Sequence, residues 1–432
     1  MTMPHTASRI PAVHALAVAI ALVAIHTSLQ GTTANSDIAV AWTNLEAVYN
    51  PSLVLHGDKS LSALKRTTFR KAKGKTFWVN HLYVCLGPHD DLQGLRCQAY
   101  NPWQEPYPEC EFDERVRGGK VDVTGLGDVK VWRWPGKGVY AIFGRKPQRT
   151  LGASPYCTSK VVYDQWVAQI LPEATAGQWR LQQPLRLYIA SGYNYPDEAP
   201  FIMEKNWMPW VYNNSTASAG SSSSSTAFGS GSGSETLFVT HMVNPHRILE
   251  VSPSGACTVR YETQGKPELF SRFTGHDVHG GPPVVRVDGK LAHDGKPYYL
   301  GIMHHIEKYE RPATGHSGGS SSSSGTSQRR SKSQKSKTVK LYRHFAYKFQ
   351  PEPPFAITDV SDELNLTFYR HPHHPTKAHI AYVAGLFLSE EGTLYVSYGA
   401  GDREARILTM SIAELEALFT GRIEFLPNDY KQ

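Results

Sequence analysis

The sequence has 432 residues, of which 40% are hydrophobic and 11% aromatic, which is ample for a buried core and favours a strand-rich globular protein. The net charge is +7, but five of the basic residues fall in one Ser-rich tract between residues 329 and 337, which leaves +2 for the rest. A nearly neutral remainder argues against a nucleic-acid partner, and the tract itself is interpreted as a solvated loop.

The N-terminal segment has the layout of a secretory signal. Arg9 precedes an apolar stretch over residues 15–25, and small residues follow at positions 32–34. A membrane-spanning helix needs about 20 apolar residues, so this stretch is short for a span. Residues 1–34 are therefore predicted to be a signal peptide or a signal anchor. The protein is expected in the Golgi lumen, possessing a type II membrane anchor, or outside the cell.

Five cysteines are compatible with an oxidising compartment but leave one unpaired if disulfides form. Cys85, Cys97 and Cys110 lie close together, and two of them are expected to staple a loop. No Cys-x-x-Cys pair is present, which argues against structural zinc. N-glycosylation sequons stand at Asn213, Asn214 and Asn365.

Turn residues predict short β-hairpins along most of the chain. Strands are expected at 130–134 and 139–143 around a Pro-Gly-Lys-Gly turn, at 298–302 and 341–349, and at 381–388 and 393–398 around Glu-Glu-Gly. Ser411 and Glu414 form a capping box that predicts a helix over 412–419.

Two biased tracts, 217–234 and 313–338, are too polar to bury a core and are predicted to be disordered insertions in one domain, 40–432. This pattern indicates an all-β sandwich, barrel or propeller.

Several segments, in order, resemble the signature blocks of the glycoside phosphorylase family 130 propellers and related eukaryotic mannosyltransferases. Glu-Lys-Asn-Trp-Met-Pro-Trp at 204–210 resembles the Lys-Asn-Trp-x-Pro-Phe block of that family. The other blocks lie at 127–134 with 138–143, 244–249, 280–284, 299–305 and 396–402. The resemblance implies an all-β fold, a five-bladed β-propeller, here with a short C-terminal helix.

The first block departs from the family pattern. Gly127, Val129 and Lys130 stand where the family has Glu, Pro and Arg, although the Asp is present as Asp128. His279 replaces an Arg before the Gly-Gly block. The resemblance therefore supports the fold more directly than it supports the activity.

The resemblance implies a carbohydrate site in which Asp128 is the acid/base at the glycosidic oxygen, with a turn-capping Asp as the alternative. Lys205 and Asn206 are expected to bind substrate beside a sugar-stacking Trp207. His246 and Asp402 complete the expected substrate contacts. His304 and His305 should point to opposite faces of a strand, and the resemblance favours His305 for the substrate.

No metal and no cofactor is predicted. His371, His373, His374 and His379 are irregularly spaced in a Pro-rich stretch, which is interpreted as a solvated loop. The Asp-x-Asp motif of metal-dependent nucleotide-sugar transferases is absent.

The function predicted from these features is that of a secretory-pathway glycosyltransferase that adds a hexose to a glycan, with mannose as the candidate sugar. Its partners would be a sugar donor, either a nucleotide sugar or a sugar phosphate, and a glycan acceptor. A mannoside phosphorylase or hydrolase is the first alternative. A non-catalytic glycan-binding propeller, favoured by the altered first block, is the second.

Overall fold

The computed structural model describes residues 36–40, 48–57, 59–72, 75–88, 90–100, 121–124, 126–145, 150–151, 154–155, 164–172, 179–189, 206–213, 235–273, 278–311, 337–367, 369–370, 379–401 and 404–426. The strands are β1 (Ser36–Val40), β2 (Val48–His56), β3 (Lys59–Ala72), β4 (Lys75–Pro88), β5 (Arg96–Tyr100), β6 (Val121–Thr124), β7 (Leu126–Trp134), β8 (Gly138–Arg145), β9 (Thr150–Leu151), β10 (Ser154–Pro155), β11 (Asp164–Pro172), β12 (Trp179–Leu181), β13 (Leu185–Ile189), β14 (Met208–Asn213), β15 (Glu235–Met242), β16 (His246–Val251), β17 (Ala256–Thr263), β18 (Val278–Gly280), β19 (Val285–Val287), β20 (Tyr298–Arg311), β21 (Lys337–Phe349), β22 (Ile357–Glu363), β23 (Tyr369–Arg370), β24 (His379–Leu388), β25 (Thr393–Ala400) and β26 (Glu404–Ser411). The helices are α1 (Pro267–Phe270) and α2 (Ile412–Glu416).

The strands form five antiparallel meanders. Blade one is β2-β3-β4-β5, blade two is β7-β8-β11 with β12 and β13, and blade three is β14-β15-β16-β17. In blade four the first strand is split into β18 and β19, followed by β20, β21 and β22. Blade five is β24-β25-β26 with β1 as its fourth strand.

Five apolar cores join the blades in a ring, one between each pair of neighbours. Successive side chains of a strand point to opposite faces, so each strand contributes to two cores. Val131 of β7 packs in the core shared with blade one, and Trp132 packs in the core shared with blade three. The cores between blades three and four, and four and five, are centred on Trp210 and on Leu300. A small core containing Leu53 and Ile407 closes the ring between blades five and one. Five blades with five shared cores make a five-bladed propeller, as the resemblance implied.

The inner strands of the blades all run in the same direction. The third residue of β2, Asn50, bonds to the third residue of β7, Asp128. In blade five, Tyr382 near the start of β24 bonds to Asn206, just before β14. The face of the ring where the inner strands begin is called the N-face below, and the opposite face the C-face.

Strand β1 completes blade five by pairing with β26. The Asp37 carboxylate accepts hydrogen bonds from Thr367 Oγ1, Tyr398 OH at 2.7 Å and Arg406 Nε at 3.0 Å. Because Ser36 pairs with Thr409 and Val40 with Ala405, the strand enters blade five from the C-face. Residues 36–39, which precede the domain start predicted at residue 40, are therefore part of blade five.

A disulfide joins Cys85 on β4 to Cys97 on β5, which is one of the pairings expected within the N-terminal cysteine group. Cys110 and Cys157 lie outside the described residues, and Cys257 is buried and forms no disulfide with another described cysteine. No helix in the described parts of the chain is long and apolar enough to cross a membrane. The apolar segment at 15–25 lies outside those parts.

The predicted hairpins are confirmed, and most strands extend beyond their predicted ends. Residues 337 and 338, assigned to the second insertion, belong to β21 because they pair with Arg311 and Glu310. The rest of that insertion and all of 217–234 lie outside the described residues. The Ser411 capping box is present, but α2 ends at Glu416, three residues earlier than predicted.

Candidate functional site

The centre of the N-face is built around a hydrogen-bonded pair from blades one and two. Asn50 Nδ2 donates to Asp128 Oδ1 at 2.8 Å. Asn50 is buried and has a left-handed backbone with φ of 54°, a conformation that Asn tolerates better than most residues. Asp128 is half-buried, so its carboxylate is fixed in position without being sealed from solvent.

Lys130, two residues along β7, joins blade two to blade three. Its Nζ donates to the carbonyl oxygen of Trp207 at 2.7 Å, and the side chain is 2% exposed. This lysine replaces the Arg of the family block, and its ammonium group holds two blades together at the level of the site.

Blade three contributes Asn206, which has φ of 70° immediately before β14. Its Oδ1 accepts a hydrogen bond of 2.8 Å from Tyr382 OH on blade five. Asn206 is half-buried, and its hydrogen bond joins blades three and five, which are not adjacent in the ring.

Glycines allow the inner strands to approach closely. A Cβ at Gly280 would lie 2.9 Å from the carbonyl oxygen of Asn206, and one at Gly281 would lie 2.8 Å from that of Val383. A Cβ at Gly399 would lie 2.7 Å from the backbone nitrogen of Asn50. Close packing therefore explains the two glycines of the Gly-Gly block, Gly280 and Gly281 in blade four, because a side chain at either position would clash with the neighbouring backbone. Together these contacts define the axial cluster, which consists of Asn50, Asp128, Asn206, Gly280, Gly281, Tyr382 and Gly399.

His304 and His305 point to opposite faces of β20, as predicted. The His304 ring lies 5.9 Å from that of Tyr382 and 5.4 Å from that of His279, on the side of the axial cluster. The His305 ring lies 5.6 Å from Phe273, against the core between blades three and four. The structure thus brings His304 near the axial cluster, whereas substrate binding by His305 stays a prediction.

Two other predicted residues are packed inside the cores between blades. Trp207 is 1% exposed and lies in the core between blades two and three, with its ring 5.6 Å from His241. His246 is equally buried, and its Nδ1 donates to the carbonyl oxygen of Phe355 at 2.8 Å. Burial lowers the pKa of His246 to about 4, so the ring is neutral at physiological pH. Neither ring belongs to the axial cluster.

Lys205 and Asp402 lie outside the described residues, as do His371, His373 and His374. Within the described residues, no group of three or more His, Cys, Asp or Glu side chains is arranged to hold a metal ion.

Sequence reasoning missed Asn50 and Tyr382, and of the His304–His305 pair it favoured His305 for the substrate. For Asn50, the one local signal in the sequence was the Asn50-Pro51 pair, which favours a turn.

No protein-family model and no curated protein matches the sequence. Among solved structures, the chain is similar to a glycosyl hydrolase from Bacteroides ovatus, with 10% identity, coverage of 87% of this chain and 86% of the other, and a TM-score of 0.46. It is also similar to a mannose phosphorylase from Leishmania mexicana in complex with phosphate (12%, 92% and 93%, 0.41). A GDP-Man-dependent mannosyltransferase from the same organism matches at 12% over 94% and 98%, with a TM-score of 0.43. These proteins are of the kinds that the sequence blocks resemble. At TM-scores below 0.5, the five-bladed assignment rests on the strand pairing described above.

Proposed function

We propose that this protein is a glycosyltransferase of the secretory pathway that transfers a hexose, mannose in the first instance, from an activated donor to a glycan. The observation that carries the proposal is the position of Asp128, a half-buried carboxylate that Asn50 holds between the inner strands of blades one and two. The reaction joins an acceptor hydroxyl to the anomeric carbon of the donor sugar as the phosphate-bearing group departs.

Asp128 would act as the general base in this reaction by taking the proton of the acceptor hydroxyl. The Asn50 amide fixes one carboxylate oxygen of Asp128 and so sets the direction from which the carboxylate would meet the hydroxyl. Lys205, adjacent to Asn206, would supply positive charge to the departing phosphate. Asn206 and Tyr382 would orient hydroxyl groups of the sugar from the opposite side of the axis.

The transferase is favoured over a phosphorylase by the secretory features of the chain. A disulfide between Cys85 and Cys97 is typical of proteins that fold in an oxidising compartment. The apolar N-terminal segment is consistent with entry into that compartment. Release of sugar by free phosphate is less expected there than transfer from an activated donor.

A non-catalytic glycan-binding propeller is the second candidate, and one observation favours it. Lys130 takes the place of a family Arg and donates to the Trp207 carbonyl, so one cation of the pattern has a structural role here.

The test is turnover of the full-length protein with nucleotide sugars and with sugar phosphates, comparing wild type, Asp128→Asn and Asp359→Asn. Asp359 is an exposed carboxylate on β22 and serves as the matched control. Asp128→Asn should retain donor binding and lose about 10² to 10⁴ in rate, while the control keeps wild-type turnover. Lys205→Ala should instead raise the donor KM. Wild-type turnover in Asp128→Asn contradicts the catalytic role, and binding of glycans without any turnover supports the second candidate.

A further inference from the structure

The sequon Asn365-Leu366-Thr367 lies in the segment between β22 and β23. The Asn365 side chain is exposed, so the group that would carry a glycan reaches solvent. Leu366, in contrast, is 4% exposed and packs in the core between blades four and five. Its backbone nitrogen donates to the carbonyl oxygen of Leu364 at 3.0 Å. The sequon therefore presents its asparagine to solvent while its middle residue is held inside the fold.

Thr367, the third residue of the sequon, is bound to blade five through its hydroxyl group and through its backbone. Its Oγ1 donates to the Asp37 carboxylate on β1. Its backbone nitrogen donates to Tyr398 OH at 3.0 Å, and that hydroxyl in turn donates to Asp37 at 2.7 Å. Tyr398 is fully buried on β25. The three residues Asp37, Thr367 and Tyr398 are called the blade-five lock.

The blade-five lock forms only when β1 is in place, because β1 supplies the carboxylate. Asp37 stands opposite Leu408 in the pairing of β1 with β26. Arg406 Nε donates to Asp37 Oδ1 at 3.0 Å, whereas Thr367 and Tyr398 both donate to Oδ2. Arg406 thus fixes the carboxylate with Oδ2 toward the other two residues of the lock. Undocking of β1 would take the acceptor away from the Thr367 hydroxyl.

N-glycosylation requires the same hydroxyl group that the blade-five lock uses. The acceptor motif admits Ser or Thr at its third position, and a side-chain hydroxyl is what these two residues share. The oligosaccharyltransferase therefore reads that hydroxyl together with an accessible asparagine. In the closed blade the Thr367 hydroxyl is already bound to Asp37, and Leu366 beside it is buried. Exposure of Asn365 is therefore not sufficient to make it an acceptor.

We propose that β1 controls N-glycosylation of Asn365, which accepts a glycan while β1 is undocked and is closed to modification once β1 docks. Asp37 and the oligosaccharyltransferase compete for one hydroxyl group, so the glycan has to be attached before blade five is complete. A glycan attached at that stage does not prevent closure, because the Asn365 side chain is exposed in the closed blade. The inference rests on the proposed function for the chain entering the secretory pathway.

The experiment uses the full-length protein with Asn213→Gln and Asn214→Gln, so that Asn365 is the one sequon left in the sequence. This parent protein, folded and unglycosylated, is incubated with purified oligosaccharyltransferase and a lipid-linked oligosaccharide. Occupancy of Asn365 is followed over time by mass spectrometry. The assay does not depend on the compartment in which the protein resides in its own cells.

Two variants open the blade-five lock. Asp37→Ala removes the carboxylate that accepts from the Thr367 hydroxyl, and Tyr398→Phe removes the hydroxyl that accepts from the Thr367 backbone. Opening then needs only a local movement of β1 and the sequon, not unfolding of the propeller. We expect Asn365 in Asp37→Ala to be modified about tenfold faster or more than in the parent protein, and Tyr398→Phe to be intermediate.

Two controls separate opening of the lock from a general loss of stability. Leu249→Ala leaves a cavity in a different core, the one between blades two and three. Glu404→Gln removes a partner of Arg406 and keeps all three residues of the lock. Both controls should be modified as slowly as the parent protein. Melting temperatures are measured for every variant, and Tyr398→Phe carries the comparison if Asp37→Ala does not fold.

Three outcomes would overturn the proposal. Rapid modification of the folded parent protein would show that the lock gives no protection. Equal rates in Leu249→Ala and Asp37→Ala would show that general unfolding, and not undocking of β1, exposes the sequon. Modification in none of the variants would show that something other than the lock closes the site.

Failure of the proposed function gives a different pattern. Protein purified from its own cells without a glycan at any sequon, combined with faster modification of Asp37→Ala in the purified assay, contradicts the secretory assignment and leaves the lock in place. Absence of turnover with every sugar donor contradicts the transferase in the same way, because the lock assay does not involve Asp128.

Discussion

Asn50 shows how one buried side chain prepares the site. Its amide donates to Asp128, and its left-handed backbone brings it against Gly399 of blade five. The Oδ1 atom is buried without a hydrogen-bond partner among the described residues, which is a cost to stability. A residue kept in this state is better explained by the position it gives Asp128 than by its contribution to folding.

The first prediction separates these two contributions. Asn50→Gly accepts the left-handed φ and removes only the amide, whereas Asn50→Ala adds backbone strain of about 1 kcal/mol. We expect Asn50→Gly to lower turnover by about tenfold or more, with a small change in melting temperature and in donor KM. Asn365→Gln, at an exposed position, is the control. Unchanged turnover in Asn50→Gly would show that Asp128 needs no such support.

The second prediction concerns acid stability. Burial lowers the pKa of His246 to about 4 and that of His344 to about 3, below the ordinary value of about 6.5. Below about pH 6.5 the unfolded chain takes up protons on these rings and the folded chain does not, so stability falls as the pH drops toward 4. Each ring should cost on the order of 2 kcal/mol at pH 4.5.

The check is denaturant unfolding between pH 4.5 and 7.5. His246→Asn and His344→Asn should reduce the slope of stability against pH, whatever they do to stability at pH 7.5. An unchanged slope in both variants would show that other groups account for acid unfolding.

At the scale of elements, local turn chemistry predicted the hairpins well. Pro-Gly-Lys-Gly and Glu-Glu-Gly determine the β7–β8 and β24–β25 turns, since Gly136, Gly138 and Gly392 adopt positive φ. The cap of α2 was readable in the same way. Contacts between distant residues were not readable: Asn50 and Asp128 are 78 positions apart, and Asn206 and Tyr382 are 176 apart. Pairing with Arg311 likewise extends β21 into a tract whose composition predicted disorder.

The third prediction concerns β1, which pairs with β26 and is also joined to blade five through the Asp37 carboxylate. Asp37 accepts hydrogen bonds from Thr367, Tyr398 and Arg406, and Tyr398 is fully buried. Asp37→Ala leaves the buried Tyr398 hydroxyl and the Arg406 charge without their carboxylate, so we expect a loss of about 3 kcal/mol.

The readout is the midpoint of denaturant unfolding, together with hydrogen exchange of the β26 amides that pair with β1. Glu404→Gln, which removes a more exposed partner of Arg406, is the matched control and should have a small effect. Protected β26 amides in Asp37→Ala would contradict the role given to this carboxylate.

For the whole molecule, the hairpin pattern predicted an all-β fold and the resemblance predicted five blades, whereas the details of the site could not be predicted from the sequence. Each core draws on alternate positions of neighbouring strands, and because successive residues of β8 over 139–143 are all apolar, the assignment of each one to a core becomes apparent only in the structure. The centre of the ring depends on inner strands from all five blades meeting at one level, and this level is set by the assembled ring alone.

The fourth prediction is topological and concerns the compartment. Asn365 is exposed in the segment between β22 and β23, and Asn213 is exposed at the end of β14. If the domain is lumenal, the protein purified from its own cells should shift in mobility on treatment with an N-glycosidase, and Asn365→Gln should remove part of that shift. It should also contain the Cys85–Cys97 disulfide by mass spectrometry. Free thiols at both cysteines, with no glycan at any sequon, would contradict the lumenal assignment.

The closure of blade five by β1 has a consequence for biosynthesis. Asp37 leaves the ribosome 369 residues before its partner Arg406. At about 5–20 residues per second, the first strand waits roughly 20–70 s for the strand it pairs with. During that interval blades one to four can form in sequence, while the edge that β1 will occupy does not yet exist. A nascent chain halted before residue 404 would therefore expose an unpaired strand β1, making it a natural target for chaperones until the last blade is made.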